Sequence, residues 1–164
     1  MVWARTKLMI HDDLLRPLPK MTIKFTGPNP EKFYKEIYNL IVMSFRVPEH
    51  SIQEKEFVWH KGEPEKFTIK WEVNKDLDKF SYYWISIELS GEISKGHGKA
   101  DISVEGALRT EYPQDTIWQK SLLYEFLRMT WHTIFYSSKR DEYLREGRRL
   151  LSFFVDQLKA MARA

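Results

Sequence analysis

Between Phe80 and Leu89 the chain is apolar on both faces of an extended strand. Tyr83, Ile85, Ile87 and Leu89 form one face, while Phe80, Tyr82 and Trp84 make the other apolar as well. A strand of this kind belongs inside a sheet that is covered on both sides. Its neighbours alternate more simply. Phe67, Ile69, Trp71 and Val73 interleave with Lys66, Thr68, Lys70 and Glu72, and Ala100, Ile102, Val104 and Leu108 interleave with Lys99, Asp101, Ser103, Glu105 and Arg109. Period-two alternation marks strands with one buried face. Lys61-Gly62-Glu63-Pro64 and Asn74–Lys79 read as turns, so residues 51–110 form an antiparallel meander. Gly106 interrupts the last apolar face, where a bulge or bend would curve the sheet.

Upstream, residues 4–11 suggest a short leading strand, and Met21, Ile23 and Phe25 a clearer one. Gly27-Pro28-Asn29-Pro30 then opens a helix, with Asn29 suited to the N-cap and Pro30 to the first helical position. Phe33, Ile37, Leu40, Ile41 and Phe45 recur at helical spacing, and the helix should end near Val47-Pro48. Downstream, Thr116-x-x-Gln119 is a capping-box pattern. From Ile117 to Tyr136 the apolar positions are too many for one stripe, which predicts a helix buried on more than one side. Ser137-Ser138 reads as a break or kink. The segment 139–164 then forms an amphipathic helix with Leu144, Leu151, Phe154, Val155, Leu158 and Met161 on one face. Such a helix needs a protein surface: its own sheet or an oligomer contact.

The expectation is one α+β domain over residues 1–164: a curved antiparallel sheet with an N-terminal helix and long C-terminal helices packed on it. No repeat or flexible linker divides the chain. The element order, the aromatic helix Ile117–Tyr136 and the curvature point at Gly106 resemble the helix-grip fold of the START and polyketide-cyclase-like superfamily. The resemblance spans about Met21 to Tyr136. It implies a sheet wrapped round a C-terminal helix with a hydrophobic ligand cavity between them.

Composition narrows the function. Cysteine is absent, which excludes disulfides, thiolate zinc sites and cysteine nucleophiles and favours the cytoplasm. No apolar run reaches the roughly 20 residues of a membrane span, and the N-terminal Met-Val-Trp-Ala-Arg-Thr-Lys does not have the form of a signal peptide. The net charge of +3 sits wholly in the segment 139–164. Its Lys and Arg are interleaved with Asp141, Glu142 and Glu146, as on a solvated helix face. Phe67 and Trp71 point away from Lys66 and Lys70, so a stacking platform for nucleic acid is not expected.

No residue pattern identifies a reaction. His97 in Ser94-Lys95-Gly96-His97-Gly98 reads as an exposed hairpin residue. His132 stands alone on the aromatic helix, without the spacing of a metal site. The carboxylates Asp76, Asp78, Glu88, Glu92, Asp101 and Glu105 fall on turns or polar strand faces, where solvation is the default. There is no phosphate loop or nucleophile elbow, so no catalytic residue, metal or cofactor is assigned and enzymatic activity is not favoured. Fifteen per cent aromatic residues suggest instead a ring-lined cavity or a large apolar contact. The first expectation is a non-enzymatic domain with a pocket for a small apolar molecule. Its lining would be Trp71, Tyr83, Trp84, Trp118, Phe126, Trp131 and His132. The alternative is a self-assembling or partner-binding protein, most simply a homodimer, whose surplus apolar surface is closed by another subunit.

Overall fold

The computed structural model describes residues 7–113 and 116–163. Six strands form one antiparallel sheet: β1 (Lys7–Asp13), β2 (Lys20–Pro28), β3 (Ile52–His60), β4 (Glu65–Asp76), β5 (Ser81–Ser94) and β6 (His97–Pro113). Helix α1 (Lys32–Phe45) lies between β2 and β3, and a helix of 42 residues ends the chain. This long helix comprises α2 (Leu122–Trp131), a π turn (His132–Tyr136) and α3 (Ser137–Arg163). An antiparallel sheet with a long C-terminal helix and a shorter one packed on it is compatible with a helix-grip-like fold.

Strand order is β1-β6-β5-β4-β3, with β2 sharing the outer edge of β6. The 17 residues of β6 are long enough for two partners: Glu105 still pairs with β2, and Ala107 already pairs with β1. Gly106 is the changeover. Its carbonyl accepts the Leu14 N–H at 2.8 Å, and β5 keeps its register past it, Ile85 facing Gly106. Of the bulge or bend expected at Gly106, the β5–β6 ladder therefore has no bulge there. What the glycine supplies is room, since a Cβ there would lie 2.6 Å from Leu151 Cδ2. The register shift falls in β3, between Glu54 and Glu56, on an edge strand whose charges and bulge discourage further pairing.

Local chemistry explains most boundaries. Lys95 (φ 51°) and Gly96 (φ 78°) form a two-residue hairpin turn, and His97 is exposed beside it, as expected. Asn29 is not the N-cap of α1. It takes the left-handed conformation (φ 50°), its carbonyl accepts the Lys32 N–H, and the helix starts two residues later than the sequence suggests. Arg46 (φ 50°) closes α1 with a bond from its N–H to Val42 O.

One core fills the space between the sheet and α1 with α3. Ile69, Trp71, Val73, Tyr83, Ile85, Ile87, Leu89, Ile102 and Val104 meet Phe33, Ile37, Ile41 and Phe45 of α1 and Leu151, Phe154, Val155 and Leu158 of α3. Phe45 and Phe154 rings lie 4.9 Å apart. The C-terminal amphipathic helix thus docks on its own sheet. The opposite sheet face carries Lys20 between Glu88 and Glu105, and Lys24 paired across from Asp101. Trp84 is half-buried on this face. The Arg109 guanidinium lies 3.9 Å over its ring and shields it.

Candidate functional site

The expected burial of the aromatic helix is not found. Ile117 is 93% exposed, Leu122 89% and Phe126 66%, and Trp118, Leu123, Leu127, Met129, Trp131, Ile134 and Phe135 are exposed too. The residues of α2 and the π turn that are shielded are Tyr124, Glu125, Arg128, Thr130, His132 and Tyr136. A surface helix ordinarily turns its apolar stripe inward. This one is inverted: polar and hydrogen-bonding groups face the sheet, and the apolar arc faces out. We refer to Ile117–Phe135 as the arm.

Its start is well defined. Thr116 and Gln119 exchange the two bonds of a capping box, but around the short 3₁₀ turn Trp118–Lys120. Ser121 caps α2 itself, its hydroxyl accepting the Tyr124 N–H at 3.2 Å. Ser137-Ser138 does not break the helix. The wide turn lies just before it, at His132–Tyr136. Its effect is one of phase. In a regular α-helix, four-residue steps drift by about 40° each. Arg128, His132, Tyr136 and Arg140 are four residues apart, and a π turn, which closes i→i+5 bonds, takes up the drift and keeps all four on the sheet side.

These four meet a polar cluster at the end of the sheet. The Tyr112 hydroxyl and His132 Nδ1 are 2.8 Å apart, with Arg128 over the Tyr112 ring. Tyr136 Oη lies 2.6 Å from Ser81 Oγ, which is 2.7 Å from Thr110 Oγ1. Thr110 accepts from Arg140 Nε at 3.0 Å, and Arg140 Nη1 is paired with Asp12. Asp78 is the hub on the other side. It accepts from the backbone of Phe80 and Ser81, from Tyr136 and Tyr143, and pairs with Lys139 at 3.2 Å.

The electrostatics follow from this crowding. Burial pushes Asp78 up, but the N–H groups of Phe80 and Ser81, the Tyr136 hydroxyl and Lys139 outweigh it and hold the carboxyl below its ordinary value. Burial raises Tyr136 to about 12, against the Ser81 contact and helped by Asp78. His132 is held low by burial, and the charges of Arg140 and Arg128 add to this. A buried network this well connected fixes geometry. Arg140, only 7% exposed, and Asp78 are therefore not the solvated surface charges that their sequence context suggests.

The proposed pocket residues are distributed over three places. Trp71 and Tyr83 are 1% exposed in the core, where the Tyr83 hydroxyl donates to the Tyr143 carbonyl at 2.6 Å. Trp84 is on the opposite face. Trp118, Phe126 and Trp131 are on the outward arc of the arm, and His132 is at its root. The structure brings Trp131 and Phe135 together, with rings 5.3 Å apart, but does not gather the set round one cavity. Open depressions of about 420 and 460 Å³ have other linings. Sequence reasoning missed Asp78, Tyr112, Tyr136 and Arg140. The legible signal was the four-residue repeat of hydrogen-bonding side chains from Arg128 to Arg140.

Among the described residues no three His, Asp or Glu side chains are grouped to hold a metal, and no helix is long and apolar enough to cross a membrane. No protein-family model matches the chain, and no curated protein matches it.

Proposed function

We propose that this chain is an assembly domain whose aromatic arm is covered by a second copy. The observation that carries this is the inverted polarity of the arm. Whole aromatic side chains bury about 150–250 Å² each, so the exposed residues of Ile117–Phe135 present on the order of 1,000 Å² of apolar surface. Monomers expose contiguous apolar patches of only about 300–600 Å². A standard protein interface needs about 800 Å² from each partner, which the arm alone provides.

The charge pattern favours protein over lipid as the cover. An interfacial helix turns a basic face to water. Here Arg128 is turned to the sheet and paired with Glu125, and Lys139 is engaged by Asp78. The small-ligand reading has less support, because its lining is divided between core, outer face and arm.

Light scattering tests the proposal. The mass expected at micromolar concentration is twice the 19.7 kDa of the chain. Leu122→Glu with Phe126→Glu should return the monomer mass while far-ultraviolet circular dichroism is unchanged. A parent chain that stays monomeric would overturn the reading, and recovery of that monomer on lipid vesicles would assign the arm to a membrane instead.

A further inference from the structure

The arm has an apolar counterpart on its own helix. Farther along α3, Leu150 and Phe153 line an open groove of about 460 Å³ with Leu40 and Met43 of α1, and Arg46, Lys75 and Gln157 give it a polar rim. Met43 is 73% exposed and Phe153 54%, so the groove walls are uncovered like the arm. Phe135, near the end of the π turn, and Phe153 are 18 residues apart, close to five turns, so the last ring of the arm and the groove lie on one side of one helix.

Resting on the self-association reading above, we propose that the arm of each protomer occupies the α1–α3 groove of the other. A two-fold axis crossing the long helix between Lys139 and Arg140 runs the two helices antiparallel. It sets Phe126 of one copy opposite Phe153 of the other, and does so twice. Such an isologous contact closes on itself and satisfies both patches with one operator. At the crossing the outward residues are Ser138, Glu142 and Arg145, a mixed set that raises no wall of like charge.

Two features favour this over pairing of arm with arm. The apolar arc is wider than a single stripe, so one partner helix covers only part of it, whereas a groove between two helices offers two walls. Arm-to-arm pairing also leaves Met43 and Phe153 bare. With both arms and both grooves covered, the buried surface exceeds about 2,000 Å², the range of obligate dimers.

The chain has no cysteine, so introduced thiols are unique. Thr130→Cys and Arg149→Cys stand opposite each other across the proposed axis and spare the apolar contacts. Mixed under mild oxidation, the two variants should give disulfide heterodimer at least tenfold faster than either gives homodimer. Rapid homodimer formation by Thr130→Cys alone would show arm pairing with arm and overturn the exchange. As a second measurement, Met43→Glu should weaken dimerisation at least tenfold. Mixing it with Leu122→Glu should restore part of the affinity, because the heterodimer keeps one intact arm–groove contact. A Met43→Glu chain that dimerises like the parent overturns the groove while leaving self-association standing. A monomeric parent overturns self-association itself.

Discussion

Tyr136, on the π turn of the C-terminal helix, places its hydroxyl 3.0 Å from the Asp78 carboxylate, on the turn between two central strands. The two residues are 58 positions apart in the chain. Their contact joins the root of an exposed helix to the middle of the sheet, and with Ser81 it sets the direction in which the arm leaves the body. Tyr136→Phe keeps the ring in its contact with Phe80, 6.1 Å away, and removes only the hydroxyl. Ser81 keeps Thr110, and Asp78 keeps its backbone donors and Tyr143. The loss expected is that of a hydrogen bond to a charged group, about 1.5–3 kcal/mol. Chemical denaturation checks it, and a change within error would remove the root from the list of stabilising features.

Acid should weaken the fold through His132. Its folded pKa is depressed below 6.5, so the unfolded chain takes up the proton first. The contribution to stability is present above about pH 6.5 and is lost as pH falls through the folded value. A melting-temperature profile between pH 7 and 4 should slope downward, and His132→Gln should flatten its upper part. Tyr136 acts at the other end. With its pKa raised to about 12, its contribution is whole below about pH 10 and is lost as pH rises towards 12. The Phe variant should lack that alkaline loss.

Gly147 offers a test in which two effects oppose. It lies inside α3, where Ala is intrinsically better by about 1 kcal/mol. A Cβ at this position would come within 2.6 Å of Tyr83 Cε1 and 2.9 Å of Leu14 Cδ2. Tyr83 is held by its bond to the Tyr143 carbonyl and is buried, so it cannot swing away. Overpacking of this kind costs about 1–3 kcal/mol. Gly147→Ala is therefore expected to destabilise despite the gain in propensity. A higher melting temperature would mean that the helix shifts to make room.

Leu151 and Leu158 are 1% and 0% exposed and hold α3 on the core. Each truncation of a buried leucine costs about 2–5 kcal/mol, and a domain of this size has a total stability of about 5–15 kcal/mol. Leu151→Ser with Leu158→Ser should lower the melting temperature steeply or abolish the transition. The contrast is with Leu122→Glu on the arm, which should change assembly and leave the protomer folded. Equal damage from both would mean that arm and body do not fold separately from assembly.

The strands were legible because alternation is local. Phe67 to Val73 can bury one face in only one register, and Lys95-Gly96 supplies the hairpin whatever lies around it. The stripe of α3 was legible for the same reason, through Leu151, Phe154, Val155 and Leu158. The sequence also carried the aromatic surplus between Ile117 and Tyr136, but periodicity tells how apolar a helix is and not whether anything lies against it. Burial is decided by where a helix leaves the sheet. That point is set by Tyr112, Asp78, Ser81 and Thr110, residues remote in the chain whose hydrogen bonds exist only once β5 and β6 are paired. The phase of the helix is likewise tertiary. The π turn at His132–Tyr136 has no propensity signal of its own, and follows from keeping Arg128, His132, Tyr136 and Arg140 on partners fixed by the sheet. Local patterning thus determined the elements and their inward faces, while the closure of the core round α3 decided that the aromatic half of the same helix would be left in the open.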